Sequence, residues 1–462
     1  MEREMQRKLI QPLVFLEIRN STQSGQLIIG NFPENYSELQ VTLGLSSIHL
    51  QSAGQCINLD LPVGVRIVPP SCRSLQYVMG DGFHMRLQVQ IDRPAELVPT
   101  VIKTLKAQAS YMFQCQTCGQ SVLKKQMFQR VLPLPSGNWN DLVEHWCCHP
   151  DPFTKALQPR LDDCLLGDMF LLLNVASIDN TAVHEEKASQ SEARQSADNT
   201  GTHLVQIPRE NNTVVCTRCR KMLGDVTSSD TIKFYVTEVL VQPLASKALK
   251  RQICERSLFV ETVFAGRLKE LSSAQSTFRF CIQGCDGKTY ILLWLLNSDT
   301  LLVRSHNDSK SDFAAIGKDT VKPESSNKFC EGNNAVKVLY HPCLKERNKI
   351  LCAWSAQQVG SQTRTKVRLL RLQEKWEKNI GVHGMTLPVN TCLQLLLILA
   401  SSTASLPLSL QNMNSFKVNT WNKNRITWKN SADLAASAEK NLEPWQQPLG
   451  LYSATAHCAT CI

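Results

Sequence analysis

From about Pro12 to Ile91 the chain alternates apolar and polar positions with a period of two. Leu39, Val41 and Leu43 fall on one face, then Ile57, Leu59 and Leu61, then Leu75, Tyr77 and Met79. The longest run is Phe83, Met85, Leu87, Val89 and Ile91. Successive side chains of a strand point to opposite faces, so this pattern predicts strands with one face buried and one wet. Gly80-Asp81-Gly82 separates the last two runs, at a place where a tight hairpin needs positive φ. A second β-rich part begins near Thr213, with strands expected over Lys233 to Val241, Phe278 to Val303 and Ala335 to Tyr340. Gly284-Cys285-Asp286-Gly287 marks a turn inside the second of these, and Ile291 to Leu296 is apolar on both faces, as a central buried strand is. Two polar, weakly patterned stretches, 181–203 and 304–333, read as linkers or long loops. Beyond Val418 periodicity fails although Trp421, Trp428, Trp445 and Tyr452 lie there.

The expected fold is therefore α+β and β-rich. An N-terminal tail (1–11) leads into a first antiparallel β-domain (12–112). Residues 113–180 follow, then the 181–203 linker, a second β-domain (204–382), a short helical C-terminal region (383–418) and a disordered tail (419–462).

Composition narrows the setting. With 462 residues, 43% of them hydrophobic, the chain has material for more than one core. A net charge of +10 without Arg/Gly repeats or aromatic-basic interleaving gives no argument for direct nucleic-acid binding. The first residues carry charges of both signs, unlike a signal peptide, and the apolar run at Leu393 to Ala400 is too short to span a bilayer. These features predict an intracellular chain without a membrane partner; the cytoplasm is the expected compartment and the nucleus a candidate second one. In a reducing compartment its 18 cysteines are left to metal binding, buried packing or reactive chemistry.

Two cysteine knuckles stand out: Cys115-Gln116-Thr117-Cys118-Gly119, and Cys216-Thr217-Arg218-Cys219 followed by Leu223-Gly224. Two intervening residues let both thiolates of a knuckle reach one ion, and two knuckles complete the closed tetrahedron of a structural zinc. Their wide separation would clamp distant parts of the chain together. A redox role and two unlinked thiol pairs are the alternatives; neither knuckle lies in a βαβ pattern. His457, Cys458 and Cys461 also have ligand spacing but lack a second knuckle.

Between the knuckles lies LPLPSGNWNDLVEHWCCHPDPF. Ser136 or Asn138 can cap a helix on which Trp139, Leu142, Val143 and Trp146 form one apolar stripe, ended by Pro150 and Pro152. At about 100° per residue, Cys147 falls at the margin of that stripe and Cys148 roughly opposite it, facing outward beside His149.

Long motifs add a family resemblance: VRIVPPSCRSLQYVMGDG, CQTCG, RVLPLPSGNWNDLVEHWCCHPDPF, CTRCRKMLGD, STFRFCIQGCDGKTYILLWLLNSDTLL and LPVNTCLQLLLIL. From Val14 to Val418 the chain resembles ubiquitin-conjugating-enzyme-binding proteins with a HECT-like C-terminus, which are ubiquitin-protein ligases. The resemblance implies partners of three kinds: a conjugating enzyme bound through Lys221 to about Ala245, ubiquitin, and substrate proteins such as cyclin. It also implies a catalytic thiol at Cys392, because Thr391-Cys392 matches the Thr-Cys pair on which HECT ligases carry ubiquitin as a thioester. Only about forty residues, His383 to Val418, resemble the HECT end, and LQLLLILA after Cys392 reads as a buried element. The family further associates with the zinc endonuclease of mRNA 3′-end processing. The 133–163 segment resembles a plug for such an active site, with Cys148 on the nuclease's zinc.

Overall fold

The computed structural model describes residues 13–30, 39–52, 55–73, 75–92, 101–123, 126–134, 158–187, 212–244, 253–304, 333–343, 376, 379, 381–413, 416–422 and 428–429. The helix expected after Ser136, the tail ligands Cys458 and Cys461, residues 1–12 and most of the 304–333 stretch lie outside them.

The run Phe83 to Ile91 folds as read, a strand with one buried face, but Tyr77 and Met79 are exposed and the first two strands are buried on both faces. Leu13–Arg19 (β1), Ser24–Gly30 (β2) and Gly82–Ile91 (β3) form an antiparallel ladder. A three-stranded meander supplies Ile48, Leu50 and Leu59 to the same core. The hairpin leading into β3 has Gly80 at φ 80° and Gly82 at φ 111°, the positive values that its sequence predicts.

Ala109–Cys115 (β4) begins a smaller sheet. Arg130–Pro133 (β5), Asp163–Leu166 (β6), Phe170–Asn174 (β7), Val183–Glu186 (β8), Thr213–Cys216 (β9), Met222–Ser228 (β10) and Thr231–Tyr235 (β11) make a seven-stranded sheet in the order β5-β6-β7-β11-β10-β9-β8. Val239–Pro243 (β12) pairs with β4. The single strand expected over Lys233 to Val241 is thus two, broken at Val236-Thr237-Glu238, and each half joins a different sheet. The polar stretch expected as a linker contains β8, which pairs with β9; 188–203 lies outside the described residues.

Arg256–Gln275 is a 20-residue helix (α1). Arg279–Gly284 (β13), Thr289–Arg304 (β14), Asn333–Pro342 (β15), Val382–Leu387 (β16), the helix Val389–Ala404 (α2) and Phe416–Asn422 (β17) complete the elements used below. Gly287 has φ 73° at the expected turn between β13 and β14. Ile291, Leu292 and Leu293 are buried with strands on both sides, whereas Trp294 and Leu296 are exposed, so the central-strand reading holds for the first half of that run.

The fold is β-rich with few helices, but its division into two antiparallel β-domains needs correction. β14 is long enough to pair with β13 at its start and β1 at its end on one side, and with β15 along most of its length on the other, so one eleven-stranded sheet runs through both parts. Two cores sit on it: one holds residues 14–91 with Val303, the other runs from Leu105 to Leu399. Two pairings, β5 with β6 and β13 with β16, are parallel. Nor does Val418 mark a boundary. β17 continues to Asn422 because β15 offers its edge, pairing Val338 with Asn419 and Val336 with Trp421. No helix among the described residues is long and apolar enough to cross a membrane.

Candidate metal centre and the buried thiol of α2

β4 ends in Cys115 and β9 ends in Cys216, so each knuckle is the turn that leaves a strand. The turns are built alike. Gly119 N–H donates to the Cys115 carbonyl at 2.9 Å, and Arg220 N–H donates to the Cys216 carbonyl at 2.9 Å. Cys115 N–H donates to the Gln120 carbonyl at 2.8 Å and Cys216 N–H to the Lys221 carbonyl at 2.9 Å. The residue after each second cysteine has positive φ, 74° at Gly119 and 58° at Arg220.

The strands bring all four sulfurs within 4.8 Å of one another. Cys115 and Cys219 are 3.6 Å apart, as are Cys118 and Cys216. Tetrahedral zinc with Zn–S bonds of about 2.3 Å has sulfurs about 3.8 Å apart, so spacing and donor set both fit. Hydrogen bonds from Cys115 and Cys219 hold the Cys118 thiol far below its ordinary value, while Cys115 is pushed up by its bonds to Cys118 and Cys219. One thiol ionises readily here, and further thiolates need a cation to offset them. Among the described residues the group holds four donors, two of them buried, so an ion held there would have no open position for catalysis.

Thr391 and Cys392 lie in the first turn of α2, not in a loop. Thr391 is 1% exposed and Cys392 0%. The Cys392 sulfur faces the Gln283 carbonyl at 3.6 Å and the Leu387 carbonyl at 3.9 Å. Burial pushes its thiol up, and the neighbouring Cys285 and Asp286 add to the shift. In this conformation Cys392 has neither the exposure nor the ionisation of an acceptor thiol.

Beside it stands a charged cluster that the sequence did not reveal. Arg256, the first residue of α1, donates to Glu238 Oε1 (2.7 Å), the Thr237 carbonyl (2.7 Å), Gln116 Oε1 (3.1 Å), Thr391 Oγ1 (3.1 Å) and Gln394 Oε1 (3.1 Å). Thr391 Oγ1 in turn donates to Glu238 Oε1 at 2.6 Å. Helix α1 was missed as well, although Val260, Phe264, Leu268 and Leu271, a buried stripe at helical spacing, were the signal that could have found it. Its arginine partners come from separated stretches of the chain, which no local pattern connects.

Cys148 and residues 135–157 lie outside the described residues. The stretch expected to bind a conjugating enzyme, 221–244, is mostly interior. Its exposed positions are Lys221, Thr227, Ser229, Asp230, Pro243 and Leu244.

The chain belongs to the HECT-like ubiquitin-conjugating enzyme (E2)-binding family, whose model matches residues 17–418. Among its relatives, a Bos taurus protein named as an E3 ubiquitin-protein ligase is 44% identical over 411 residues, covering 88% of this chain and 96% of that one. The proteins of the same name from Homo sapiens and Mus musculus are each 42% identical over 408 residues, with the same shares covered. No solved structure matches the chain.

Proposed function

We propose that this chain is a ubiquitin-protein ligase that binds a conjugating enzyme, with Cys392 as an acceptor thiol that is sealed until the first turn of α2 opens. Family membership across 17–418 supports the ligase reading, together with the name carried by relatives that match nearly their whole length. The observation that carries the sealed form is the 0% exposure of Cys392 within a helical turn held by side chains from elsewhere. Once exposed, its thiolate would attack the carbonyl carbon of the thioester that joins ubiquitin to the conjugating enzyme. A new thioester would form, and the conjugating enzyme's cysteine would leave as thiolate, an almost isoenergetic exchange that needs mainly positioning. The four-cysteine centre is the proposed seat of one structural zinc.

The test is a charging reaction of purified chain, conjugating enzyme and ubiquitin, read on non-reducing gels. Wild type is expected to form an adduct sensitive to reducing agent, and Cys392→Ala to form none. An adduct that persists in Cys392→Ala removes the thioester step and leaves a ligase that presents the charged conjugating enzyme directly to substrate.

A second reading, compatible with the first, is that segment 133–163 plugs the active site of the mRNA 3′-end processing zinc endonuclease through Cys148. What favours it is the stem. β5 and β6 run parallel in register, and Arg130 grips Asp163 with two bonds of 2.8 and 2.6 Å. Both ends of the segment are therefore fixed on one sheet edge, as a rigidly presented insertion requires. Cys148→Ala is expected to weaken nuclease inhibition at least about tenfold while leaving self-ubiquitination intact. Unchanged inhibition would remove the plug.

A further inference from the structure

We propose that Arg256 is a positioning residue for the reaction proposed above: it latches the first turn of α2 against the Cys115–Cys118 knuckle and so keeps Cys392 closed. The inference rests on the ligase reading for its purpose but not for its geometry.

Arg256 occupies an unfavourable place. It is the first residue of α1 and it touches the first turn of α2, so a cation sits beside two helix N-termini, the positive ends of both dipoles. Neither first turn carries an acidic residue. The compensating anion comes from outside both helices. Glu238 is 6% exposed, and its Oε1 receives bonds from Arg256, Thr391 and Thr237. A buried charge pair set against two dipoles is a local conflict of the kind kept where function needs it.

The start of α2 has no side-chain cap, and its own fastening is the backbone N–H groups of Thr391 and Cys392 donating to the Pro388 carbonyl at 2.9 and 3.0 Å. Its N-cap is Pro388, with no side-chain cap bond, and the Thr391 hydroxyl turns to Glu238. The side-chain bonds that hold the first turn thus come from other elements. The next residue is Cys392, whose sulfur faces two carbonyls at long distance. At the other side of the latch is Gln116, between the two ligands of the first knuckle. Its side chain accepts from Arg256 and its N–H donates to the Glu238 carbonyl at 3.0 Å. A continuous path therefore runs from the four-cysteine centre through Gln116, Arg256 and Glu238 to Thr391. The knuckle geometry that a metal fixes is the geometry that seats the latch.

The test needs no ubiquitin. The metal-loaded full chain is alkylated with iodoacetamide under native conditions and each cysteine is read by mass spectrometry. Cys164 and Cys281, both buried, report wider opening of the core. Arg256→Met is expected to speed labelling of Cys392 roughly tenfold while Cys164, Cys281 and metal content stay as in wild type. Thr391→Val, a milder change that still removes one strand of the latch, is expected to shift Cys392 in the same direction and stands in should Arg256→Met not fold. Stripping the wild-type chain with a chelator is expected to release Cys392 along with the knuckle cysteines. Labelling of Cys392 that stays at the wild-type rate in both variants, or rises only in step with Cys164 and Cys281, overturns the latch. Chelation that exposes the knuckles but leaves Cys392 protected overturns its link to the metal centre. Selective labelling without any ubiquitin adduct would leave the latch standing and remove the ligase reading instead.

Discussion

A cysteine knuckle needs one residue of positive φ just after its second sulfur. The two knuckles meet that need differently, with Gly119 in one and Arg220 in the other. An arginine there carries a conformational penalty that a glycine avoids. Its guanidinium pairs with Glu186 of β8, fastening the second knuckle to the neighbouring strand. At this scale the donor set was readable, because the C-x-x-C spacing is a chemical constraint written locally. The latch was not, because Gln116, Glu238, Arg256 and Thr391 each look ordinary among their sequence neighbours. Purified chain is expected to hold one zinc by elemental analysis. Cys118→Ser is expected to lose it, together with a large share of the roughly 5–15 kcal/mol by which domains are stable, read as a lower and broader thermal transition.

Elements were legible where one periodicity dominated. β3 alternates along its length, and the glycines of its hairpin announce their φ, whereas β1 and β2 are buried on both faces and do not alternate. The hairpin also makes a sharp prediction. A Cβ at Gly82 would lie 2.2 Å from the Ile29 carbonyl oxygen, at φ 111°. Gly82→Ala is expected to cost about 2 kcal/mol or more in denaturant unfolding, since both the backbone and the β2–β3 contact must give. Gly80, at φ 80° but with open space around it, should tolerate alanine better. Where the sequence misled, a tertiary partner had overridden local pattern. Residues after Val418 lack periodicity yet form β17, because β15 supplies the hydrogen bonds that make a strand. Val183–Glu186 reads as linker for the same reason, since its partner β9 lies beyond a long polar stretch.

The whole molecule is organised by β14, whose sixteen residues join pairings that the sequence assigned to separate domains. Across it, Lys337 of β15 reaches Glu17 of β1 at 2.6 Å, with side chains 9% and 1% exposed. Arg19 adds a second, more exposed bond to the same carboxylate. Lys337→Met is expected to cost about 3 kcal/mol in chemical unfolding, because it leaves a buried carboxylate with only its outer partner. Glu17→Gln with Lys337→Met should recover part of that loss, as removing both charges of a buried pair usually does. Apolarity in β1 and in β14 was readable, but nothing in either says that they are neighbours.

That neighbourhood sets a timetable for biosynthesis. Phe15 pairs with Arg304, about 290 residues later in the chain. At the usual rate of about 5–20 residues per second, a ribosome takes roughly a quarter of a minute to a minute to make the strand that β1 waits for. Throughout that interval the β1–β2 hairpin presents an apolar face and one open edge to every other nascent chain nearby. The β1–β2 hairpin thus leaves the ribosome long before its last partner strand, and it is a part that a holding chaperone would be expected to cover.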